Sequence, residues 1–173
     1  IAANAKSWPK IVAGVRALGI CAGPDDVFLA LRGLRTLGVR LAHHQASGIA
    51  MAKWLKARME VVRVLHPALP DDPGHAIWQR DFTGASGLFS VILKPVSKRA
   101  LDAFLDSLTL FGMGFSWGGF ESLVIAFDAS TYRTATRWQA EGPALRFHIG
   151  LEALSDLQAD LDRALDAMRA AED

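Results

Sequence analysis

With a single cysteine in 173 residues, Cys21, the chain can form no internal disulfide, and no CxxC pattern offers a thiolate pair to a metal. That usage suits a reducing cytoplasm, and Cys21 is expected to serve as a packing residue. Long apolar runs are missing too. The hydrophobic stretches are short and broken by charge, so none has the length to span a bilayer. An excess of one charge is also absent. Nineteen basic residues are scattered among eighteen acidic ones, and no basic stripe interleaved with aromatics marks a nucleic-acid surface. Neither nucleic acid nor membrane is therefore an expected partner. No Gly-x-Ser-x-Gly elbow presents a serine nucleophile, and no glycine-rich loop leading into a helix and a lysine cradles a phosphate. The five histidines match no metal-site spacing: His43 and His44 are adjacent on a helix and face different ways, while His66 and His75 flank a loop without a nearby cysteine.

Apolar material, by contrast, is ample. About half of the residues are hydrophobic, enough for the core of one domain, or of one domain plus a piece of another. The chain begins Ile-Ala-Ala-Asn, with neither an initiator methionine nor a signal-peptide pattern, and reads as the trailing part of something longer. Over 4–18, Trp8, Ile11, Val12, Val15 and Leu18 recur at helical steps, with Pro9 tolerable in a first turn. A break over 19–24 precedes a helix start at Pro24-Asp25-Asp26. A long helical pattern follows over 27–58, in which Gly33 and Gly38 each cost about 1 kcal/mol relative to alanine. A kink or break is expected near Gly33. Arg32, Arg35 and Arg40 form a small basic cluster, read as a solvated or interface face.

From Val61 onward the expected order is β, α, β, α, β, β, α. The strands lie at 61–65, 88–93, 123–127 and 144–150. Ser97 caps a helix striped by Leu101, Phe104, Leu105 and Leu108. Ser155 with Gln158 reads as a capping box for a last helix whose buried side is Leu154, Leu157, Leu161, Leu165 and Met168. The fold class is α/β, or an α+β small domain, with helices packed on a small, mostly antiparallel sheet.

One stretch, residues 110–122, carries four glycines, three phenylalanines and a tryptophan around the hydroxyl of Ser116. Glycine at that density points to close approach of another backbone or of a ligand, or to a tight aromatic turn between strands. Downstream, Arg146 alternates out of a strand between Leu145 and Phe147. Facing such a pocket, it suits bidentate capture of a carboxylate; on the surface, it suits a salt bridge. His148 shares its strand face and is expected to pack or to bond locally.

Four stretches carry a family resemblance: Arg-Gly-Leu-Arg-Thr-Leu at 32–37, Arg-Asp-Phe-Thr-Gly-Ala-Ser-Gly-Leu-Phe at 80–89, Phe-Ser-Trp-Gly-Gly-Phe-Glu-Ser-Leu at 115–123, and Leu-Arg-Phe-His-Ile-Gly-Leu-Glu at 145–152. Together, and in this order, they resemble the carboxyl-terminal part of the pyridoxal-phosphate enzymes of cysteine and methionine metabolism. The γ-lyases and γ-synthases of that family usually carry Ser-Leu-Gly-Gly at the third site. Trp117 in the second position is more similar to the β-lyase branch. The resemblance implies a fold-type I enzyme, with residues 1–32 as the tail end of the large cofactor-binding domain and inter-domain helix, and 33–173 as the small domain. It implies that Arg146 holds the substrate carboxylate and that Ser116 and Trp117 shape that end of the site. It implies pyridoxal phosphate as cofactor, a small amino-acid substrate, a homotetramer, and cleavage of cystathionine to homocysteine, pyruvate and ammonia. A γ-family activity or a non-catalytic stand-alone module is the alternative. None of Lys6, Lys10, Lys53, Lys56, Lys94 or Lys98 sits in the Ser-x-Thr-Lys-Tyr context of the family's Schiff-base lysine. The resemblance therefore implies a missing amino-terminal part, and no activity from this chain alone.

Overall fold

Proline sets the start of both helices in the first of two units, which span Ile1–Gly38 and Val39–Asp173 of a computed structural model that describes residues 2–172. Helix α1 (Trp8–Ala17) carries Pro9 in its first turn, where no intrahelical amide bond is lost. Helix α2 (Pro24–Arg35) opens on Pro24 with Asp25 and Asp26 and ends with Arg32 and Arg35, so both ends suit the helix dipole. Neither helix has a buried residue. Cys21, expected to pack, is exposed in the linker between them, where no apolar neighbour covers it. The expected break near Gly33 falls three residues later. Thr36 leaves helical geometry (φ −108°, ψ 5°) because its amide and its hydroxyl both donate to the Gly33 carbonyl, at 3.2 and 3.3 Å. Helix α3 (Leu37–Lys56) then begins.

The second unit holds a five-stranded sheet in the order β1-β2-β5-β4-β3. Its strands are β1 (Val61–Leu65), β2 (Leu88–Leu93), β3 (Gly112–Met113), β4 (Leu123–Phe127) and β5 (Ala144–His148). Three pairings are antiparallel, and only β3 runs parallel to its neighbour β4. The mostly antiparallel sheet expected from sequence is therefore present. The two-residue strand β3, inside the glycine-rich stretch, was not expected.

Strand alternation sends Phe89, Val91, Leu93, Val124, Leu145 and Phe147 to one side of the sheet. There they join Met51 and Leu55 of α3, Phe104 of α5 (Lys98–Ser107), and Leu157, Leu161 and Leu165 of α6 (Leu154–Glu172) in one buried cluster. Phe147 stacks on Phe89 and meets Phe111 edge-on, both at 5.7 Å between centroids. Ser97 caps α5 as expected, its Oγ accepting from the Ala100 amide at 3.1 Å. The capping box at Ser155 does not form. Helix α6 starts one residue earlier, the Ala153 carbonyl takes the Leu157 amide, and the Ser155 hydroxyl donates to Asp156 instead. A short helix, α4 (His75–Asp81), lies between β1 and β2 and covers none of this cluster.

Candidate functional site

On the other side of the sheet, Ser90, Arg146 and Ile125 stand abreast on β2, β5 and β4, and Leu88, His148 and Leu123 form the next row. Buried His44 of α3 backs His148 on this side, and the glycine-rich segment crosses it. That segment is fixed at three places.

Its upstream end is held by Asp160, a fully buried carboxylate on α6. The amides of Thr109, Leu110 and Phe111 donate to it at 3.0, 2.8 and 3.3 Å, and the Thr109 hydroxyl and Arg163 add to the set. Burial alone would raise its pKa, but the hydrogen bonds from Leu110, Thr109 and Phe111 outweigh it and hold the group below the usual carboxylate range. The downstream end is held by Glu152, which accepts from the Ser122 amide and hydroxyl, both at 2.8 Å. The Ser122 oxygen in turn accepts from the Gly150 amide at 2.9 Å. Only glycine fits at 150, since a Cβ there would sit 2.2 Å from the Phe120 carbonyl oxygen.

Between these ends, two residues of β5 hold the middle. Arg146 donates through Nη2 to the Phe115 carbonyl at 2.7 Å and lies 3.5 Å from that of Gly114. The buried His148 ring has the Gly119 carbonyl 3.1 Å from Nε2. The Gly118 amide lies 3.2 and 3.4 Å from its two nitrogens. Burial pushes the His148 imidazole below the usual histidine value, with His44 and Arg146 adding to the effect and the Gly119 bond and Glu152 opposing it. Gly118 has φ +85°, which a residue with a Cβ adopts only under strain. The expected close approach of another backbone does not occur at Gly118 or Gly119, where a Cβ would meet nothing within 4 Å.

Of the expected site residues, the structure brings Arg146 against the segment that carries Ser116 and Trp117. Both of these are exposed at its tip. Arg146 is half-buried, its strand neighbours are neutral, and no carboxylate pairs with it among the described residues. A guanidinium so placed keeps N–H donors for an anion. Of the two roles expected for His148, packing is present, since the ring is buried against that of His44, but its hydrogen bonds are not local: their partners lie 29 and 30 residues away. Ser122, Glu152 and Asp160 were not foreseen as anchors. The readable sign for Asp160 was a carboxylate on the buried stripe of α6, between Leu157 and Leu161.

The remaining histidines lie elsewhere. His44 is buried behind His148, its ring 5.2 Å away and its Nδ1–H donating to the Ile149 carbonyl at 2.8 Å. His66 is buried against Phe89 on the helix side, and burial lowers its pKa. His43 and His75 bond to Ser47 and to the Pro67 carbonyl. Among the described residues, no three histidine, cysteine or acidic side chains converge as metal ligands, and no helix is long and apolar enough to cross a membrane. A concavity of about 650 Å³ lies at the Ala144 end of β5, lined by Phe127, Trp138 and Glu141, away from the glycine-rich segment.

The chain as a whole is similar to known proteins. The profile of the Cys/Met metabolism PLP-dependent enzymes matches residues 1–166. The chain is 47% identical over 163 residues to the cystathionine β-lyase of Salmonella typhimurium, covering 92% of this chain and 41% of that protein. It is 50% identical over 151 residues to the cystathionine β-lyase of Bordetella avium, covering 87% of this chain and 38% of that protein. Among solved structures, the cystathionine γ-synthase of Xanthomonas oryzae pv. oryzae, in complex with cystathionine, superposes with a TM-score of 0.83 at 34% identity. That match covers 99% of this chain and 45% of that one. The chain thus spans less than half the length of these relatives, and it belongs to the pyridoxal-phosphate-dependent enzymes of cysteine and methionine metabolism.

Proposed function

We propose that this chain supplies the substrate-carboxylate side of the active site of a cystathionine β-lyase. The observation that carries this reading is Arg146: a half-buried guanidinium without an acidic partner among the described residues, beside the tip that bears Ser116 and Trp117. Two parallel hydrogen bonds from Arg146 orient an amino-acid carboxylate and so fix the bond to be broken. The Ser116 hydroxyl adds a donor beside it, and the Trp117 ring closes the tip over apolar substrate surface and excludes water.

Pyridoxal phosphate, when bound, drains electron density from the substrate Cα. All six lysines of this chain are exposed, Lys56 pairing with Asp71 and Lys98 with Asp102, and Lys94 lying beside Met59 and Met168 at the far end of β2. We place the covalent anchor in an upstream part of the same polypeptide. In this reading, residues 1–32 end the large domain, 33–173 form the small domain, and the complete enzyme assembles as a tetramer. The chain alone is inactive. Borohydride reduction after adding pyridoxal phosphate is expected to leave no stoichiometric lysine adduct on it; a unique, fully labelled lysine would overturn that assignment.

Trp117 and the identity to β-lyases favour β-elimination. The likeness to a γ-synthase keeps γ-chemistry as the second reading. The full-length enzyme supplied with cystathionine is expected to release homocysteine, pyruvate and ammonia. α-Ketobutyrate as the main oxo acid would establish the γ-reading instead.

A further inference from the structure

We infer that His148 is a positioning residue: its neutral imidazole ties Gly118 and Gly119 to β5 and thereby sets the Ser116–Trp117 tip for the substrate carboxylate. This rests on the proposal that the carboxylate binds at Arg146.

The Gly119 carbonyl, 3.1 Å from Nε2, can only accept, so in the neutral ring Nε2–H donates to it; the Gly118 amide, 3.2 Å from Nε2 and 3.4 Å from Nδ1, then has Nδ1 as its acceptor. Protonation turns Nδ1 into a second donor facing an amide, and the Gly118 contact is lost. On either side, the Arg146 guanidinium holds the Phe115 carbonyl at 2.7 Å and the Leu151 amide holds that of Phe120 at 2.8 Å, which leaves Gly118 and Gly119 to His148. A Cβ at Gly118 or Gly119 would touch nothing within 4 Å, and Phe115, Trp117 and Phe120 are all exposed, so apolar packing does not fix the tip. Gly118 also sits at φ +85°, a conformation it holds without a side chain to lock it.

The surroundings favour the neutral ring. His44 stands behind it from α3, Arg146 shares its strand face, and Glu152 follows on the same segment as the one opposing charge. Strands β2 and β4 flank it with Leu88 and Leu123, and the glycine-rich segment presents only backbone. His44 forms a fixed back wall, its Nδ1–H committed to the Ile149 carbonyl at 2.8 Å.

The test uses the complete enzyme without substrate, labelled with fluorotryptophan and read by ¹⁹F NMR, with the Trp117 resonance assigned from a Trp117→Phe variant. Between pH 8 and pH 5 this resonance is expected to shift with a single midpoint below about 6.5, the ordinary histidine value. His148→Gln keeps an amide donor for Gly119, so the resonance should stay near its high-pH position at every pH, with KM within about twofold of wild type. His148→Leu should place it near its low-pH position throughout and raise KM about tenfold, with kcat within about twofold. A titration of Trp117 that survives in the Gln variant overturns the proposal, and so does an unmoved resonance in the Leu variant. Should the Leu variant not fold, the Gln arm decides alone. A Trp117 resonance that follows the expected pattern while KM stays constant keeps the clamp and overturns the placement of the carboxylate site.

Discussion

The two sides of the sheet are built from the same five strands and differ in almost everything else. On one, helices α3, α5 and α6 seal apolar rows into a continuous core. On the other, irregular segments cross a row holding Arg146 and His148, and they are held by hydrogen bonds rather than by packing. Close-packed apolar contact stabilises but has no group with which to hold an anion. A half-open side with a charged residue can hold one, at a cost in stability. The division teaches where to look for each effect: folding energy on the helix side and, on the reading proposed above, substrate recognition on the segment side.

This contrast yields predictions that differ by side. Phe104→Ala removes a buried ring from the helix side and is expected to cost about 4 kcal/mol in chemical denaturation, with KM of the folded enzyme unchanged. Arg146→Ala should behave in reverse, losing about 3 kcal/mol in kcat/KM of the complete enzyme while the melting temperature moves little. A specificity constant near that of wild type would sink the role given to Arg146. Asp160→Asn tests the junction between the sides and should cost about 2 kcal/mol at neutral pH, since three backbone amides lose a charged acceptor. The folded pKa of Asp160 lies below its unfolded value, so its contribution is present above about pH 4 and fades as pH falls through the folded value. The Asn variant should therefore show a flatter loss of stability in acid, and an unchanged acid limb would contradict this. Smallest of all, Phe120→Ala is expected to alter stability by less than about 0.5 kcal/mol, because that ring is 67% exposed. A loss as large as that of Phe104 would mean that the segment side is packed after all.

Much of the helix side was legible in the sequence, because its signal is repeated. The stripe of α5 and that of α6 each recur over several turns, and β2 and β5 alternate over five or more residues. The family, too, could be named from four ordered motifs that include Arg146. What stayed hidden rests on single contacts. Strand β3 has two residues, too few for an alternating pattern, and one is glycine. The break at Thr36 depends on one hydroxyl competing for one carbonyl. The role of His148 depends on a segment about thirty positions away folding back onto β5, which no local pattern encodes. Ser116 and Trp117 could be singled out by type and spacing, yet nothing in the sequence tells that Arg146 would meet the backbone of Phe115 rather than a side chain.

The two carboxylates that pin the glycine-rich segment, Glu152 and Asp160, both follow β5 in the chain. During synthesis from the amino terminus, a nascent chain ending before Glu152 already has every strand of the sheet but neither pin. The glycine-rich segment is thus pinned only by residues made after every strand of the sheet. A truncation before Glu152 would free both ends of that segment while leaving all five strands in the chain.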